Sequence, residues 1–284
     1  MSYDLTIGMP TYDDYHGVYF SIQALRMYHP EIINKTEILI IDNNPSSEHG
    51  KACKKFSASA PYIKYIPYNE VKGPANSKNQ VFKNAKAPYV LCMDSHVLWE
   101  KGSLQRLLDF YKKNPNTSDL YQGPLVYDDL NNISTHFKEE WRGQMWGIWG
   151  TDKKGKDPNA EPFEIWGQGM GAFTCRKEAW LGFNDLFKGF GAEEGYIHEK
   201  YRRAERKAYC LPFLRWVHRF GRPEGAKFPL TIENKARNYF IGHIENKIDV
   251  EPIIEHFSEW ITKEKLEKMC EKVYEEMIEA GQLV

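Results

Sequence analysis

The sequence VLCMDSHVLWE, residues 90–100, has four apolar residues directly before Asp94, Ser95 and His96. Such an apolar run is typical of a buried strand, and side chains two positions apart at its end lie on the same side. Asp94 and His96 can therefore reach one ion, and a carboxylate oxygen with an imidazole nitrogen suits Mn²⁺ better than Ca²⁺. The pattern also fits a strand-end turn with a capping aspartate and an exposed histidine, so both interpretations stay open here.

Strand and helix patterns alternate along the first hundred residues. DLTIGMP and TEILIIDNN predict strands, and residues 17–29 between them predict a helix. This order predicts an α/β, Rossmann-like fold with a mostly parallel sheet flanked by helices. Runs as apolar as EILII fit a sheet that is covered on both faces. Ligands of such sheets lie beyond the carboxyl ends of the strands, where residues 11–14, 42–44 and 94–96 form polar clusters.

Composition and charge exclude several classes of protein. The chain has 284 residues, of which 42% are hydrophobic, and this is enough for a sizeable core. The net charge of −1 gives no overall basic field for nucleic acid or membrane. The sequence shows neither a charged leader with an apolar segment nor a run of ~20 apolar residues, so we expect a soluble, cytoplasmic protein. Five cysteines without a CxxC pair predict buried reduced thiols.

The middle of the chain carries an aromatic segment. Residues 138–162 are rich in tryptophan, glycine and lysine, and they predict a long mobile loop that becomes ordered on ligand binding. Trp146 and Trp149 in this loop, and Trp166 just beyond it, are candidates for stacking a sugar or a base. Aromatic side chains also belong to protein cores, and that alternative stays open.

The remaining patterns predict short strands and a terminal helix. YQGPLVYD (residues 121–128) predicts one strand, and YCLPFLRWVHRFGRP (residues 209–223) predicts a strand and a loop. Residues 259–280 predict an amphipathic helix. The residues on or near its apolar face are Trp260, Leu266, Met269, Val273 and Met277.

Four motifs, in order along the chain, carry a family resemblance. PTYDD, IIDNNPSS, KGPANSKNQ and MDSH resemble the nucleotide-binding half of family 2-like glycosyltransferases with the GT-A fold. The resemblance implies a nucleotide-sugar donor, a UDP-sugar above all, with Asp42 at the uracil. Lys78 stands where the family has an arginine, so the positive charge remains but the bidentate geometry is lost. The positions that match the family's donor-binding residues are Pro10, Thr11, Tyr12, Asp42, Lys78 and Asp94.

The Asp-x-His pattern resembles the metal motif of the polypeptide N-acetylgalactosaminyltransferases, which also use a distant histidine. GMGAF, GFGAEEGYIHEKYR and RWVHRFGRP follow in a similar order, and the β-1,4-galactosyltransferases have a comparable Gly-Gly-Glu-Asp helix before a metal-binding histidine. The resemblance implies that Asp94, His96 and His218 hold Mn²⁺ or Mg²⁺ with the donor diphosphate. Arg219 and Arg222 would add positive charge. A surface histidine in a basic loop is the alternative for His218.

The resemblance also implies a domain organisation. A GT-A domain would span residues 1–228, with a nucleotide-binding half over residues 1–100 and an acceptor and catalytic half over residues 101–228. A helical C-terminal extension would follow over residues 229–284.

Two acids, Glu193 and Glu194, open a predicted helix after Gly191 and Ala192. Acids are favoured at a helix N-terminus for electrostatic reasons alone. The resemblance implies a catalytic role instead. Glu194 occupies the position of the base that deprotonates the acceptor in inverting relatives, and Glu193 would bind the donor sugar or the acceptor.

The acceptor is open at the level of sequence. Residues 200–222 hold eight lysines and arginines, Arg202 and Arg203 among them, against one acid. This basic face is consistent with a solvated helix or with a polyanionic acceptor such as hydroxymethylated DNA, as in phage-type DNA glycosyltransferases. Glycan, lipid-linked and protein acceptors are further alternatives. A non-catalytic nucleotide-sugar or carbohydrate-binding module and a nucleotidyltransferase are the alternatives of another class.

Overall fold

The computed structural model describes residues 2–221 and 227–283 as a mixed α/β fold. The strands are β1 (Leu5–Thr11), β2 (Thr36–Asp42), β3 (Ile63–Pro67), β4 (Tyr89–Met93), β5 (Val97–Trp99), β6 (Leu120–Gln122), β7 (Leu125–Val126), β8 (Ile133–Ser134), β9 (His136–Arg142), β10 (Met145–Gly150), β11 (Phe163–Ile165), β12 (Ala172–Arg176), β13 (Ala208–Cys210) and β14 (Trp216–His218). The helices are α1 (Tyr15–Tyr28), α2 (Pro30–Ile33), α3 (Glu48–Ser57), α4 (Pro74–Asn84), α5 (Ser103–Lys113), α6 (Glu193–Arg203), α7 (Ile232–Glu245), α8 (Glu251–Phe257) and α9 (Lys263–Glu279).

An eight-stranded sheet forms the centre of the fold, in the order β11-β13-β6-β12-β4-β1-β2-β3. The strands β3, β2, β1 and β4 are parallel, and β12 pairs antiparallel to β4. Alternate residues of one strand enter two different core clusters: Ile38 and Ile40 lie in one, and Leu39 and Ile41 lie in the other. The sheet is therefore covered on both faces, and the predicted GT-A-like α/β class is confirmed.

Two smaller sheets complete the architecture. One has the order β5-β14-β7-β8, and the other is the antiparallel pair β9 and β10. YQGPLVYD is therefore two strands, β6 and β7, which lie in different sheets and are separated by Gly123 and Pro124. Residues 209–223 likewise contain two strands, β13 and β14.

The aromatic segment is the main correction to the sequence-based predictions. Residues 138–162 do not form one long loop, because residues 136–150 fold into the hairpin of β9 and β10, and a 3₁₀ turn follows at Lys153–Lys156. The pairing has a bulge between Trp146 and Ile148, where Gly147 has φ +109°. Residues other than glycine rarely adopt this backbone conformation, so Gly147 permits the bulge.

The C-terminal helices belong to the same core as the sheet. Leu266, Val273 and Met277 of α9 are at most 1% exposed, and α9 packs on α7. Burying each of these side chains contributes about 1.5–3 kcal/mol. Trp260 lies before α9 and is 38% exposed, so it is not on the buried face of that helix.

Four of the five cysteines are buried and all five are free, as predicted. None of the helices in the described part of the chain combines the length and the apolar character that a membrane crossing needs.

Candidate active site and metal centre

Strand pairing brings His218 to the Asp94–His96 turn. Asp94 follows β4, and His96 directly precedes β5. The strand β14 pairs antiparallel with β5, and this register sets His218 opposite Val97. Asp94, His96 and His218, which we call the metal corner, thus meet although more than a hundred residues separate His218 from the other two.

The metal corner has the geometry of a cation site. One ligand atom from each of the three residues lies within 4.8 Å of the others. Asp94 Oδ2 is 3.5 Å from His218 Nε2, and the rings of His96 and His218 are 4.8 Å apart between centroids. A carboxylate and two imidazoles are ligands that divalent transition metals accept. These residues therefore fit the Mn²⁺ that the motif implies.

Lys78 supplies a positive charge beside the metal corner. It lies on α4, its side chain is 6% exposed, and its Nζ is 3.8 Å from Asp94 Oδ1. Burial works to raise the pKa of Asp94, but Lys78 and the two histidines outweigh it and hold that pKa well below the usual range. Asp94 is consequently a carboxylate at neutral pH and can act as a ligand without first losing a proton.

A cavity of about 400 Å³ opens next to the metal corner. Residues at the end of β1 and at the start of α4 line it, as expected for the carboxyl ends of parallel strands. The hairpin and Glu194 also contribute to the lining. Of the residues predicted from sequence, those that line the cavity are Pro10, Thr11, Tyr12, Lys78, Asp94, His96, Trp146, Trp149, Glu194 and His218.

The two acids at the start of α6 have different surroundings. Ala192, the residue before the helix, has φ +73°, a conformation that costs free energy for a non-glycine residue and is typical of functional turns. Glu193 is 2% exposed, and its Oε2 accepts a hydrogen bond of 2.8 Å from the Gly191 N–H. Glu194 is only half-buried and faces the cavity.

Both carboxyl groups have raised pKa values. Burial is the main cause for Glu193, the charge of Glu194 adds to it, and together they raise the pKa of Glu193 to about 8. Burial also raises the pKa of Glu194, while Lys78 works against that rise. A carboxylate with a raised pKa is a better proton acceptor near neutral pH than an ordinary glutamate.

Several predicted residues lie elsewhere in the described part of the chain. Trp166 packs under Arg202, whose guanidinium is 5.0 Å from the indole centroid and donates to the Trp166 carbonyl at 2.6 Å. Arg203 pairs with Glu199 on the surface. The structure therefore assigns these three residues to packing and surface contacts and not to the cavity lining.

Asp42 and Arg219 are not among the residues that line the cavity, although their chain neighbours Asn43, His218 and Phe220 are. Asp42 is 1% exposed, and its carboxylate accepts hydrogen bonds from the Asn44 N–H and the Tyr65 hydroxyl. Arg219 is exposed, and its backbone N–H donates to the His96 carbonyl at 3.3 Å. Arg222 falls outside the described residues.

The cavity also contains residues that sequence reasoning missed. Asp14 contacts His96, and Arg142, Phe190 and Phe228 line the walls. The sequence did offer a signal for Asp14, because this residue belongs to the polar cluster that follows β1. The other three had none, because their positions depend on the hairpin and on segments distant in sequence.

Comparisons with known proteins agree with this geometry. The family model described as glycosyl transferase family 2 matches residues 6–178, more than half of the chain. A poly-beta-1,6-N-acetyl-D-glucosamine synthase of Staphylococcus aureus is 25% identical over 92 residues, which are 32% of this chain and 22% of the synthase. The chain thus matches about a fifth of that relative's length.

Solved structures share the fold at low sequence identity. GalNAc-T7 in complex with UDP, GalNAc and Mn²⁺ aligns with a TM-score of 0.68 and 15% identity over 95% of this chain and 55% of the other. A mannosyltransferase of Pyrobaculum calidifontis, PcManGT, with GDP-Man and Mn²⁺ aligns at 0.56 and 13% over 100% and 77%. S. aureus TarS, residues 1–349, aligns at 0.54 and 12% over 95% and 69%.

The family model matches the half of the chain that carries β1, β4 and the Asp-x-His turn, and the solved neighbours have the same architecture. The chain therefore belongs to glycosyl transferase family 2 and has the GT-A fold.

Proposed function

We propose that this enzyme transfers a sugar from a UDP-sugar to a hydroxyl group of a glycan acceptor, with a divalent cation, Mn²⁺ above all, bound by Asp94, His96 and His218. One observation carries the proposal: the metal corner and the half-buried carboxylate of Glu194 line the same cavity. A leaving-group site and a proton acceptor in one enclosure are what glycosyl transfer requires.

The part of the cavity at the end of β1 has features that support nucleotide binding. Thr11 is 6% exposed, and its Oγ1 has no hydrogen-bond partner within the described residues. A buried hydroxyl without a partner is costly, so a ligand that bonds to it would be stabilised. Tyr12 packs edge-on against Phe228 at 5.0 Å and forms an aromatic wall beside it. We assign the nucleoside to this part of the cavity, between Pro10 and Tyr12.

The assignment of the base as uracil rests on neighbours of the same fold. GalNAc-T7 was solved with UDP and Mn²⁺, and TarS with UDP-GlcNAc. Asp42 would act on the base through the Asn44 turn that its carboxylate stabilises, since that carboxylate is already occupied by Tyr65 and the Asn44 N–H.

The proposed chemistry assigns a separate task to each residue. When bound, the cation supplies Lewis acidity that stabilises the diphosphate leaving group. Lys78 adds positive charge from the opposite side of Asp94. Glu194 takes the proton of the acceptor hydroxyl as its oxygen bonds to the anomeric carbon, and the bond from that carbon to the diphosphate oxygen breaks with its electron pair on the diphosphate. A base on the acceptor favours an inverting outcome.

Charge pairing favours a glycan over DNA as the acceptor. Five of the eight basic residues between positions 200 and 222 pair with carboxylates: Lys200 with Glu245, Arg202 and Arg203 with Glu199, Lys207 with Glu164, and Arg215 with Glu100. Paired charges leave a weaker field for a polyanion. Trp146 and Trp149 of the hairpin instead offer apolar faces to a sugar ring.

The test is hydrolysis of a panel of UDP-, GDP- and dTDP-sugars without an acceptor, with Mn²⁺ or with EDTA. Water can replace the acceptor hydroxyl, so we expect slow release of UDP from one UDP-sugar, lost in EDTA and restored by Mn²⁺. Equal release in EDTA would contradict the role of the cation. Release from a GDP-sugar alone would contradict the choice of uracil. Absence of both turnover and UDP–Mn²⁺ binding would favour the non-catalytic module.

A further inference from the structure

We propose that Asp14 is a positioning residue for the metal corner: its carboxylate fixes the tautomer and orientation of His96. This inference rests on the proposed function, because it concerns the cation that His96 would bind. Asp14 Oδ2 accepts a hydrogen bond from His96 Nδ1 at 2.8 Å and another from Ser95 Oγ at 2.9 Å. Local sequence patterns do not predict this hydrogen bond, since 82 positions separate Asp14 from His96.

The fold holds Asp14 against the Asp94–His96 turn from several directions. The other oxygen of Asp14, Oδ1, accepts from the Gly17 N–H at 3.1 Å and so caps α1. A Cβ at Gly17 would lie 2.3 Å from Asp14 Oδ2 and 2.8 Å from the Ser95 carbonyl, so α1 approaches the turn as closely as a glycine allows. Ser21 Oγ bonds to the carbonyls of Ser95 and Val97, each at 2.9 Å.

The consequence concerns the two ring nitrogens of His96. With Nδ1–H donated to Asp14, Nε2 remains as the nitrogen that can ligate a cation. Both side chains are largely buried, at 15% exposure for Asp14 and 11% for His96, so water competes little for this hydrogen bond. A carboxylate behind a ligating histidine fixes the ring and raises its basicity, and loss of such a partner costs about 10–100-fold in metal affinity.

The roles of Asp14 as a helix cap and as a partner of His96 can be separated by mutation. Asp14 uses one oxygen for each role, whereas asparagine has a single carbonyl oxygen. Asparagine caps helices about as well as aspartate does, so Asp14→Asn keeps α1 and withdraws the anionic partner of His96. Asp14→Ser gives a second variant with a competent cap and no carboxylate.

The experiment is a titration of Mn²⁺ in the presence of UDP, followed by the loss of the electron paramagnetic resonance signal of free Mn²⁺. We expect Asp14→Asn and Asp14→Ser to weaken Mn²⁺ binding by about 10–100-fold. The matched control is Asp13→Asn, because Asp13 lies in the same turn and its carboxylate bonds only to Asn44 among the described residues. This control should bind Mn²⁺ like the wild type, and thermal melts should show all variants folded.

A double-mutant cycle separates positioning from a general structural effect. Asp14→Asn should have no further effect on Mn²⁺ affinity in a His96→Ala background, because the partner it positions is gone. Equal affinity of the wild type and both Asp14 variants would overturn the inference and leave the proposed function standing. If Asp14→Asn weakened Mn²⁺ binding as much in the His96→Ala background as in the wild type, the inference would also be overturned. A wild type without Mn²⁺ affinity would overturn the proposed function together with the inference.

Discussion

The metal corner and the aromatic hairpin form two walls of one cavity, and they are stabilised in different ways. The metal corner sits at the ends of β4 and β14, which belong to sheets with several other strands. The hairpin of β9 and β10 has only its own pairing as a sheet and is held by side chains from α7 and α8. The first wall is thus part of the scaffold, and the second is attached to it.

The attachment of the hairpin is specific. The Trp146 N–H donates to the Tyr239 hydroxyl at 2.7 Å. His256 stacks on Trp141 with 3.7 Å between ring centroids, and its Nε2 donates to the Gly143 carbonyl at 2.8 Å. Both contacts come from the C-terminal helices, so these helices help to place a wall of the cavity. The metal corner is thus held by strand pairing in two sheets, whereas the hairpin is held by side-chain contacts of about 1 kcal/mol each.

We expect the strongest loss of activity from a substitution at the metal corner. His218→Ala removes a metal ligand, and we expect Mn²⁺-dependent turnover to fall by about 10³-fold, since Lewis-acid stabilisation is worth several kcal/mol. The measurement is kcat/KM for UDP-sugar hydrolysis at saturating Mn²⁺. His16→Ala, an exposed histidine on α1, should keep wild-type rates. Wild-type turnover of His218→Ala would remove His218 from the metal corner.

Glu194→Gln should produce the next largest effect. Removal of a general base costs about 10²–10⁴-fold, so we expect transfer to fall by at least about 10²-fold while UDP–Mn²⁺ affinity stays the same. Glu199→Gln, on the same helix but paired with Arg202, is the control. Rates of transfer and calorimetric UDP binding distinguish the two steps. Transfer at the wild-type rate would show that another group takes the acceptor proton.

The attached wall should respond more weakly. Tyr239→Phe leaves the Trp146 N–H without its partner, at a cost of about 1 kcal/mol, or roughly five-fold in kcat/KM. Tyr274→Phe on the exposed face of α9 serves as the control and should change nothing. An effect as large as that of His218→Ala would mean that the hairpin is as essential to activity as the metal corner.

The last prediction concerns the pH dependence of stability rather than activity. The pKa of Glu193 is raised from 4.5 to about 8 by burial and by Glu194, so the folded state holds a proton that the unfolded state loses above pH 4.5. The contribution of Glu193 to stability is therefore present at low pH and lost as pH rises from about 4.5 to 8. Relative to Glu193→Gln, the wild-type free energy of unfolding should fall by at most about 1.4 kcal/mol per pH unit in this window.

Denaturant titrations of both proteins at several pH values measure that difference. Glu199→Gln should follow the wild type. Parallel pH dependences of the wild type and Glu193→Gln would mean that Glu193 is ionised and hydrated in the folded protein.

More of the metal corner than of the hairpin could be predicted from the sequence. Asp94 and His96 could be predicted because the apolar run before them identifies a strand and its carboxyl end. The helix α6 and its two acids were predictable for similar local reasons. His218 required a resemblance, since its place depends on the pairing of β14 with β5.

The hairpin could not be predicted because its stability depends on Tyr239 and His256, about a hundred residues away. Local composition, rich in glycine and lysine, favoured a loop. The sequence also did not show that Arg202 and Arg203 have partners within the protein, among them Glu199 and the Trp166 carbonyl. The sequence identifies side chains with reactive or charged groups. It does not show whether another residue of the protein already forms a hydrogen bond or an ion pair with them.

Anomalous diffraction at the manganese absorption edge, from crystals grown with UDP and Mn²⁺, would locate the cation directly. We expect one strong peak between Asp94, His96 and His218, next to the diphosphate. Ordered UDP in the cavity without a peak between these three side chains, or a peak at another site, would contradict this expectation.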